Sequence, residues 1–295
     1  LPNPKELAVF FHYKGLQFEA KPDRPDPVLA KHLQELLGGA VGEMTVAMQY
    51  LFQGWNCRVP GKYKDLILDT ATEELAHVEM IATMIARLLE GAPEDAYVEA
   101  AKDPMTAAII SGTNPQHKIV NGLGPALADS AGEAWSGKYI LASGNLFADF
   151  SLNAAVEMQG RLQATRVFNM TDDSGVREML KFNIARDTMH QNQWLAACEE
   201  LKADGLEGLP SPSNFPESDQ NNEFAYTLFN FSEGSQSSEG RWASGPTPDG
   251  KGTFTYVDNP QPMAPEPVLP PTPPQYYGTP STGGGIVQKV KDILT

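Results

Sequence analysis

The sequence predicts an all-α protein built on a four-helix bundle, and three observations carry that prediction. Four stretches of roughly 25 to 30 residues show helical apolar periodicity with no proline past their first turn. They come as two pairs, each joined by a short break, with a long irregular connection between the pairs. Each stretch also places an acidic residue on the face that should be apolar. Helices of this length run about 40 Å at 1.5 Å per residue, enough to enclose a buried site midway.

The first helix is expected from residue 26 to about 56, because Asp26 followed by Pro27 suits an N-cap and a first turn. Pro60 and Gly61 end it, and an amphipathic run over 62–89 ends in turn at Gly91 and Pro93. Residues 93–143 are irregular, with Gly112, Pro115, Gly122, Gly124, Pro125 and Gly137, and are long for a bundle connection, so they read as a crossover. A third helix is expected over about 145–169. Thr171, Asp172, Asp173 and Ser174 then supply a turn and cap for a fourth over 175–203.

This gives an N-terminal extension (1–25), the bundle (26–205) and an extended, mostly irregular C-terminal arm (206–295). In the arm, 253–257 reads as a short strand and 260–280 is proline-rich with Tyr276 and Tyr277. Those tyrosines, with Val268 and Leu269, offer something to bury, which favours an arm packed on neighbouring subunits over disorder.

Across 295 residues, 37 acidic against 22 basic side chains give a formal charge of -15, which repels phosphate backbones and argues against nucleic acid as a partner. No apolar run approaches the roughly 20 residues of a membrane span. Cys57 and Cys198 are too few for a disulfide framework and lack CxxC spacing, so both read as buried thiols in a reducing, cytoplasmic setting. The first eleven residues lack the marks of a secretory signal, although the chain does not open on methionine, which leaves the true N-terminus open.

The chemistry lies in the inward acids. Glu43 shares a helical face with Leu36, Ala40, Ala47 and Tyr50, where a lone carboxylate would be costly. Glu74 and His77, three apart, lie on the stripe of Ile67, Ala71, Val78 and Ile81, so both can reach one metal. Glu157 repeats the role of Glu43 beside Phe150, Ala154 and Ala164. Asp187 and His190 repeat the acidic-x-x-His spacing beside Ile184, Trp194 and Ala197. His12, His32 and His117 fall outside this set.

Any one of these pairs alone is more often a solvated helix face. Together, in the order Glu, ExxH, Glu, DxxH, they match the two-metal carboxylate site of ferritin-like bundles. A metal-free network would leave several charges in the core for no gain. Oxygen and imidazole ligands suit manganese or iron alike. Spacing therefore leaves three chemistries open: cycling on peroxide, activating dioxygen, or oxidising iron for storage. A non-catalytic assembly that stores metal or forms a coat is also compatible.

The text around the ligands resembles the manganese catalases: Lys21-Pro-Asp-Arg-Pro-Asp-Pro27, Leu37-Gly-Gly-Ala-Val-Gly-Glu43-Met, Lys62-Tyr-Lys-Asp-Leu-Ile-Leu-Asp69, Ala71-Thr-Glu-Glu-Leu-Ala-His77-Val-Glu-Met80 and Ser143-Gly-Asn-Leu-Phe-Ala-Asp149. The likeness runs from about residue 17 to about 257. It implies a heme-free enzyme that disproportionates hydrogen peroxide with two manganese ions per chain, held by Glu43, Glu74, His77, Glu157 and His190. One glutamate would bridge, and each metal would take one histidine. Acid–base groups beside the metals would carry protons, with Asp187 the candidate and Tyr50 hydrogen-bonded to the site.

One branch of the family carries Glu at the position of Asp187 and Arg just before the third helix's glutamate; this chain has Asp187 and Val156. The shorter Asp reads as a proton acceptor beside the metals rather than a ligand. Resemblance to a calcium-binding branch implies a second ion, held at a subunit contact by Asp65, Asp69, Asn230, Ser232 and Gly234. The family's homo-hexamers imply interlocked C-terminal arms.

Overall fold

The computed structural model describes residues 14–59, 61–90, 102, 120–206, 220–221 and 223–270. His12, His117, Tyr276 and Tyr277 lie outside the described residues. The fold is mostly helical and divides into two compact units, Leu1–Asn214 and Phe215–Thr295.

Among its described residues the first unit holds α1 (Pro27–Gly38), α2 (Glu43–Asn56), α3 (Lys62–Leu89), α4 (Leu146–Asn169) and α5 (Ser174–Ala203). Three of these helices start on side-chain caps. Asp26 accepts from the Val28 and Leu29 amides at 3.0 Å, with Pro27 in the first turn. Asn145 accepts from Ala148 N at 3.0 Å and Asp173 from Val176 N at 2.9 Å. The other oxygen of Asp173 accepts from Asp23 N at 2.9 Å, which ties the segment before α1 to the start of α5.

The run over 26–56, expected as one helix, is two. α1 stops at Gly38 and α2 restarts at Glu43, because glycines let other backbone press in at the break. A Cβ on Gly38 would lie 2.3 Å from the Ala128 carbonyl oxygen, and one on Gly42 would lie 2.7 Å from that of Leu36. Ala40, expected to face inward, is exposed, and Glu43 enters the core as the first residue of α2 rather than from mid-helix.

Ala128 belongs to the described part of the crossover, which buried amides hold in place. Gln34 accepts from Ala126 N at 2.9 Å and donates to the carbonyls of Ala126 and Ala128 at 2.8 and 2.7 Å. Gln49 accepts from Leu141 N and Gln53 donates to Leu141 O, both at 3.0 Å, and Asn153 of α4 bonds both glutamines. Each amide replaces lost water contacts with protein ones, which is the condition for burying it.

α3 and α5 run in opposite directions. Lys62 meets Glu200 at 2.6 Å, Thr70 meets Gln193 at 2.6 Å, and Glu73 meets Arg186 at 2.6 Å. Two apolar clusters fill the unit. One joins Leu33, Met84, Leu88, Val167 and Leu180; the other joins Tyr50, Ile67, Phe150, Trp194 and Leu201. On α3, α4 and α5 the predicted ligands fall between the two, at the seam. Cys198, expected to be buried, is half-buried beside Ser151, while Cys57 is buried; both are free thiols.

The second unit corrects the all-α expectation with a small sheet of β1 (Thr227–Phe229), β2 (Gly245–Pro246) and β3 (Thr253–Val257), in the order β1-β3-β2. β3 pairs parallel to β1 and antiparallel to β2. Only β3 has the length and alternation to read as a strand alone; the others depend on partners distant in sequence. Val268 and Leu269, expected to be covered, are 92% and 83% exposed within this chain.

Gly38→Ala is expected to destabilise the protein by about 1–3 kcal/mol through overpacking against the crossover. The check is thermal unfolding, where an unchanged melting temperature would show that the close approach at Ala128 is not constraining.

Candidate metal centre

Each helix at the seam sends acid or imidazole into apolar surroundings. α2 supplies Glu43, α3 supplies Glu74 and His77, α4 supplies Glu157, and α5 supplies Asp187 and His190. All six are buried, and Glu74, His77 and His190 have no exposed surface. The three-residue spacing on α3 and on α5 puts acid and histidine on one face, and the antiparallel packing brings the two faces together.

His77 Nδ1 lies 2.8 Å from Glu74 Oε2 and 3.5 Å from Glu43 Oε2. His190 Nδ1 lies 2.6 Å from Glu74 Oε1 and 3.8 Å from Glu157 Oε1. Glu74 therefore turns one oxygen to each histidine, the disposition a carboxylate needs to bridge two cations. Glu43 stands on the His77 side and Glu157 on the His190 side. The two imidazoles stack with centroids 5.6 Å apart. Ligand atoms of Glu74, His77 and His190 lie within 4.8 Å of one another, as do those of Glu43, His77 and Asp187.

Around this set lies a ring of hydrogen bonds that the sequence did not disclose. Glu73 sits behind both histidines, with Oε2 3.1 Å from His190 Nε2 and Oε1 3.7 Å from His77 Nε2. Arg186 grips Glu73 through Nε at 2.6 Å and Nη2 at 3.1 Å, and Gln17 donates to it at 2.7 Å. One carboxylate thus hydrogen-bonds His190 and stands behind His77, on the side of each ring away from the Nδ1 that faces the centre. Asn183 donates to Glu43 Oε1 at 2.7 Å and to Asp187 Oδ1 at 3.1 Å. Tyr50, fully buried against Trp194, donates its hydroxyl to Glu157. Sequence reasoning found Tyr50 but missed Glu73, Asn183 and Arg186. The only signal was the acidic neighbour of Glu74, four residues before His77.

The electrostatics show a site short of positive charge. Burial, then the charge of Glu74, pushes the Glu43 and Glu157 carboxyls up. Burial, then Glu43 and Glu74, raises Asp187. Glu74 is pulled the other way: burial opposes its charge, but His77 and His190 outweigh burial and hold it low. Hydrogen bonds to His190 and His77 likewise hold Glu73 low. Burial disfavours a charged His190, yet Glu73 and Glu74 prevail and its pKa rises to about 10. Without metal, protons do the neutralising.

The residues fit a dinuclear cation site on their own geometry. Glu74 Oε1 and His190 Nδ1 meet at 2.6 Å but are out of line for a hydrogen bond, and neither atom has another partner. Buried unpartnered polar atoms are costly, and a cation that takes the place of the His190 proton between them removes the cost. Oxygen and imidazole donors without thiolate select manganese or iron over softer-ligand metals. The residues expected for calcium fall in both units. Asp65 and Asp69 are exposed on α3, whereas Asn230, Ser232 and Gly234 belong to the second unit, where Asn230 bonds Asp258 and the Ser232 amide.

Comparison with known proteins points the same way as the centre. The family described as manganese containing catalase matches residues 9–292. A manganese catalase of Bacillus subtilis (strain 168) is 57% identical over 271 residues, covering 92% of this chain and 98% of that relative. Another from Lactiplantibacillus plantarum is 46% identical over 274 residues, with 91% and 98% covered. The crystal structure of KatB, a manganese catalase from Anabaena PCC7120, superposes with a TM-score of 0.65 at 27% identity, covering 85% of this chain and all of that one.

Two outcomes follow from the geometry. Since His190 stays protonated up to about pH 10, cation loading at neutral pH must displace protons. Calorimetric titration in buffers of different ionisation enthalpy should register proton release, with affinity falling as pH falls; loading without proton release would refute the charge assignment. Glu73→Gln should lower metal affinity by about 10- to 100-fold by loosening the imidazole of His190. A variant that binds metal as tightly as the parent would leave Glu73 without that role.

Proposed function

The chain belongs to the manganese catalase family and disproportionates hydrogen peroxide to water and dioxygen, and we propose that Glu43, Glu74, His77, Glu157 and His190 hold its two manganese ions. The observation that carries this assignment is Glu74, whose two oxygens address two histidines on different helices, each flanked by a further glutamate. When bound, a manganese pair supplies a two-electron reservoir, filled from one peroxide and emptied into another, so no outside reductant is consumed.

The protein's own residues position that reservoir and move protons. Tyr50 fixes Glu157 by its hydroxyl, and Glu73, gripped by Arg186, fixes His190 and lies close behind His77. Oxidising one peroxide to dioxygen releases two protons with its two electrons, and reducing another to two waters consumes two of each; Asp187 would hold one of those protons between the two halves, the other passing to solvent and back. Burial first, then the charges of Glu43 and Glu74, raise the pKa of Asp187, so it holds a proton more readily than an exposed carboxylate. Its Oδ1 is already engaged by Asn183, which favours proton transfer over metal ligation.

Where an arginine would stand beside Glu157, Val156 brings no charge, and the neutral donor Asn183 ties Asp187 to Glu43 instead. We read the helical unit as a ferritin-like four-helix bundle over 26–205 in which α1 and α2 share the place of one helix. The C-terminal region then packs on neighbouring subunits of a homo-hexamer. A calcium ion held by Asp65 and Asp69 together with Asn230, Ser232 and Gly234 from another subunit would fasten that contact, since these oxygens are of the hard type calcium prefers. Two thiols left free accord with a cytoplasmic location. No helix among the described residues is long and apolar enough to cross a membrane.

The decisive experiment loads the purified protein with manganese and calcium, quantifies bound metals, and follows dioxygen from peroxide with cyanide present to silence heme enzymes. Two manganese per chain with sustained dioxygen release is expected, whereas iron with oxygen uptake would make the protein an oxidase. Glu74→Ala and His77→Ala should abolish turnover. Asp187→Ala should keep both metals and slow it by about a hundredfold or more, the usual contribution of a positioned acid–base group. Loss of one metal would make Asp187 a ligand instead.

A further inference from the structure

Among the carboxylates of the centre, Glu43 is the most exposed, at 9% against 4% for Asp187, 3% for Glu157 and none for Glu74. Among these four acids, solvent therefore comes nearest at the start of α2. Gly160, half-buried on α4 three residues beyond Glu157, lies at the same place. A Cβ built on it would have as its nearest neighbours the Val41 carbonyl oxygen at 3.6 Å and Asp187 Oδ2 at 4.0 Å. Val41 lies in the break between α1 and α2, two residues before Glu43.

Two facts make this glycine informative. Glycine in a helix interior costs stability relative to alanine, so a neutral choice would not place it there. Close packing does not demand it either: 3.6 and 4.0 Å are ordinary contact distances, unlike the 2.3 Å that excludes a side chain at Gly38. What the absent side chain leaves is room beside Asp187 Oδ2, on the side of that carboxylate away from Asn183. Hydrogen peroxide is only two oxygens long, and one methyl or isopropyl group at position 160 is comparable in size to the substrate itself.

We propose that Gly160 is the aperture residue of the centre: its missing side chain sets the width of the path by which hydrogen peroxide reaches Asp187 and Glu43. This rests on the catalase reading and adds to it a determinant of access. The residue touches no reacting atom. It acts by what it leaves open.

The test is a size series, Gly160→Ala, Gly160→Val and Gly160→Leu, in the manganese-loaded full chain. The kcat/KM for hydrogen peroxide should fall in that order, by about tenfold at valine. The rate at which azide perturbs the manganese absorption spectrum should fall in the same order, with manganese content unchanged. Because a methyl group fits and alanine favours helix, Gly160→Ala should also melt about 2 °C higher than the parent, so slower access would accompany greater stability. Alanine and valine variants that match the parent in both kcat/KM and azide-binding rate would overturn the proposal. A manganese-loaded parent that binds azide but releases no dioxygen would overturn the catalase reading instead, and the azide rates would still decide the aperture.

Discussion

Four acidic side chains and two imidazoles share the seam between two apolar clusters, and the scarcity of positive charge at that seam governs what surrounds it. An isolated ion in such a place costs several kcal/mol after relaxation, and several like charges together cost more. The chain meets this with donors aimed at particular oxygens. Asn183 serves Glu43 and Asp187, Tyr50 serves Glu157, and His77 serves Glu74. Arg186 binds Glu73, behind the imidazoles rather than among the acids. That placement leaves the acids themselves for metal to neutralise.

The same demand explains the helix architecture. Acids and imidazoles from α2, α3, α4 and α5 meet within a few ångströms, so register along each helix matters more than helix propensity. Caps at Asn145 and Asp173 fix where α4 and α5 begin. The break at 39–42 lets Glu43 enter from a helix start, which also brings its side chain nearest to solvent. Buried amides then hold the crossover against α1 and α2. Gln34, Gln49 and Gln53 make these contacts through paired donors and acceptors, so the long connection is part of the frame around the centre.

Much of this was legible in the sequence, for identifiable physical reasons. The starts of α1, α4 and α5 were readable because Asp26, Asn145 and Asp173 cap locally, using hydrogen bonds two or three residues away. The six inward residues were readable because acid and histidine three apart on an apolar stripe conflict with burial unless a ligand intervenes. The break in the first helix was not readable, since its cause is the approach of Ala128, 90 residues on from Gly38. Glu73, Asn183 and Arg186 were missed because on a helix each looks like an ordinary solvated polar residue; only the neighbouring helix shows otherwise. The choice of manganese over iron came from relatives, as the donor atoms alone do not make it.

Val156 and Asn183 show how a charge can be replaced by a dipole. A carboxylate paired with arginine stays ionised and is a poor proton acceptor. One that receives a single amide hydrogen bond, among other acids and out of water, holds its proton more tightly. Asp187 has its raised pKa for this reason, with burial the largest cause and Glu43 and Glu74 next. Its second oxygen is the one that faces the small residue at 160. The oxygen of Asp187 that carries no hydrogen bond from Asn183 is thus the one that faces a residue without a side chain, while Asn183 holds the other.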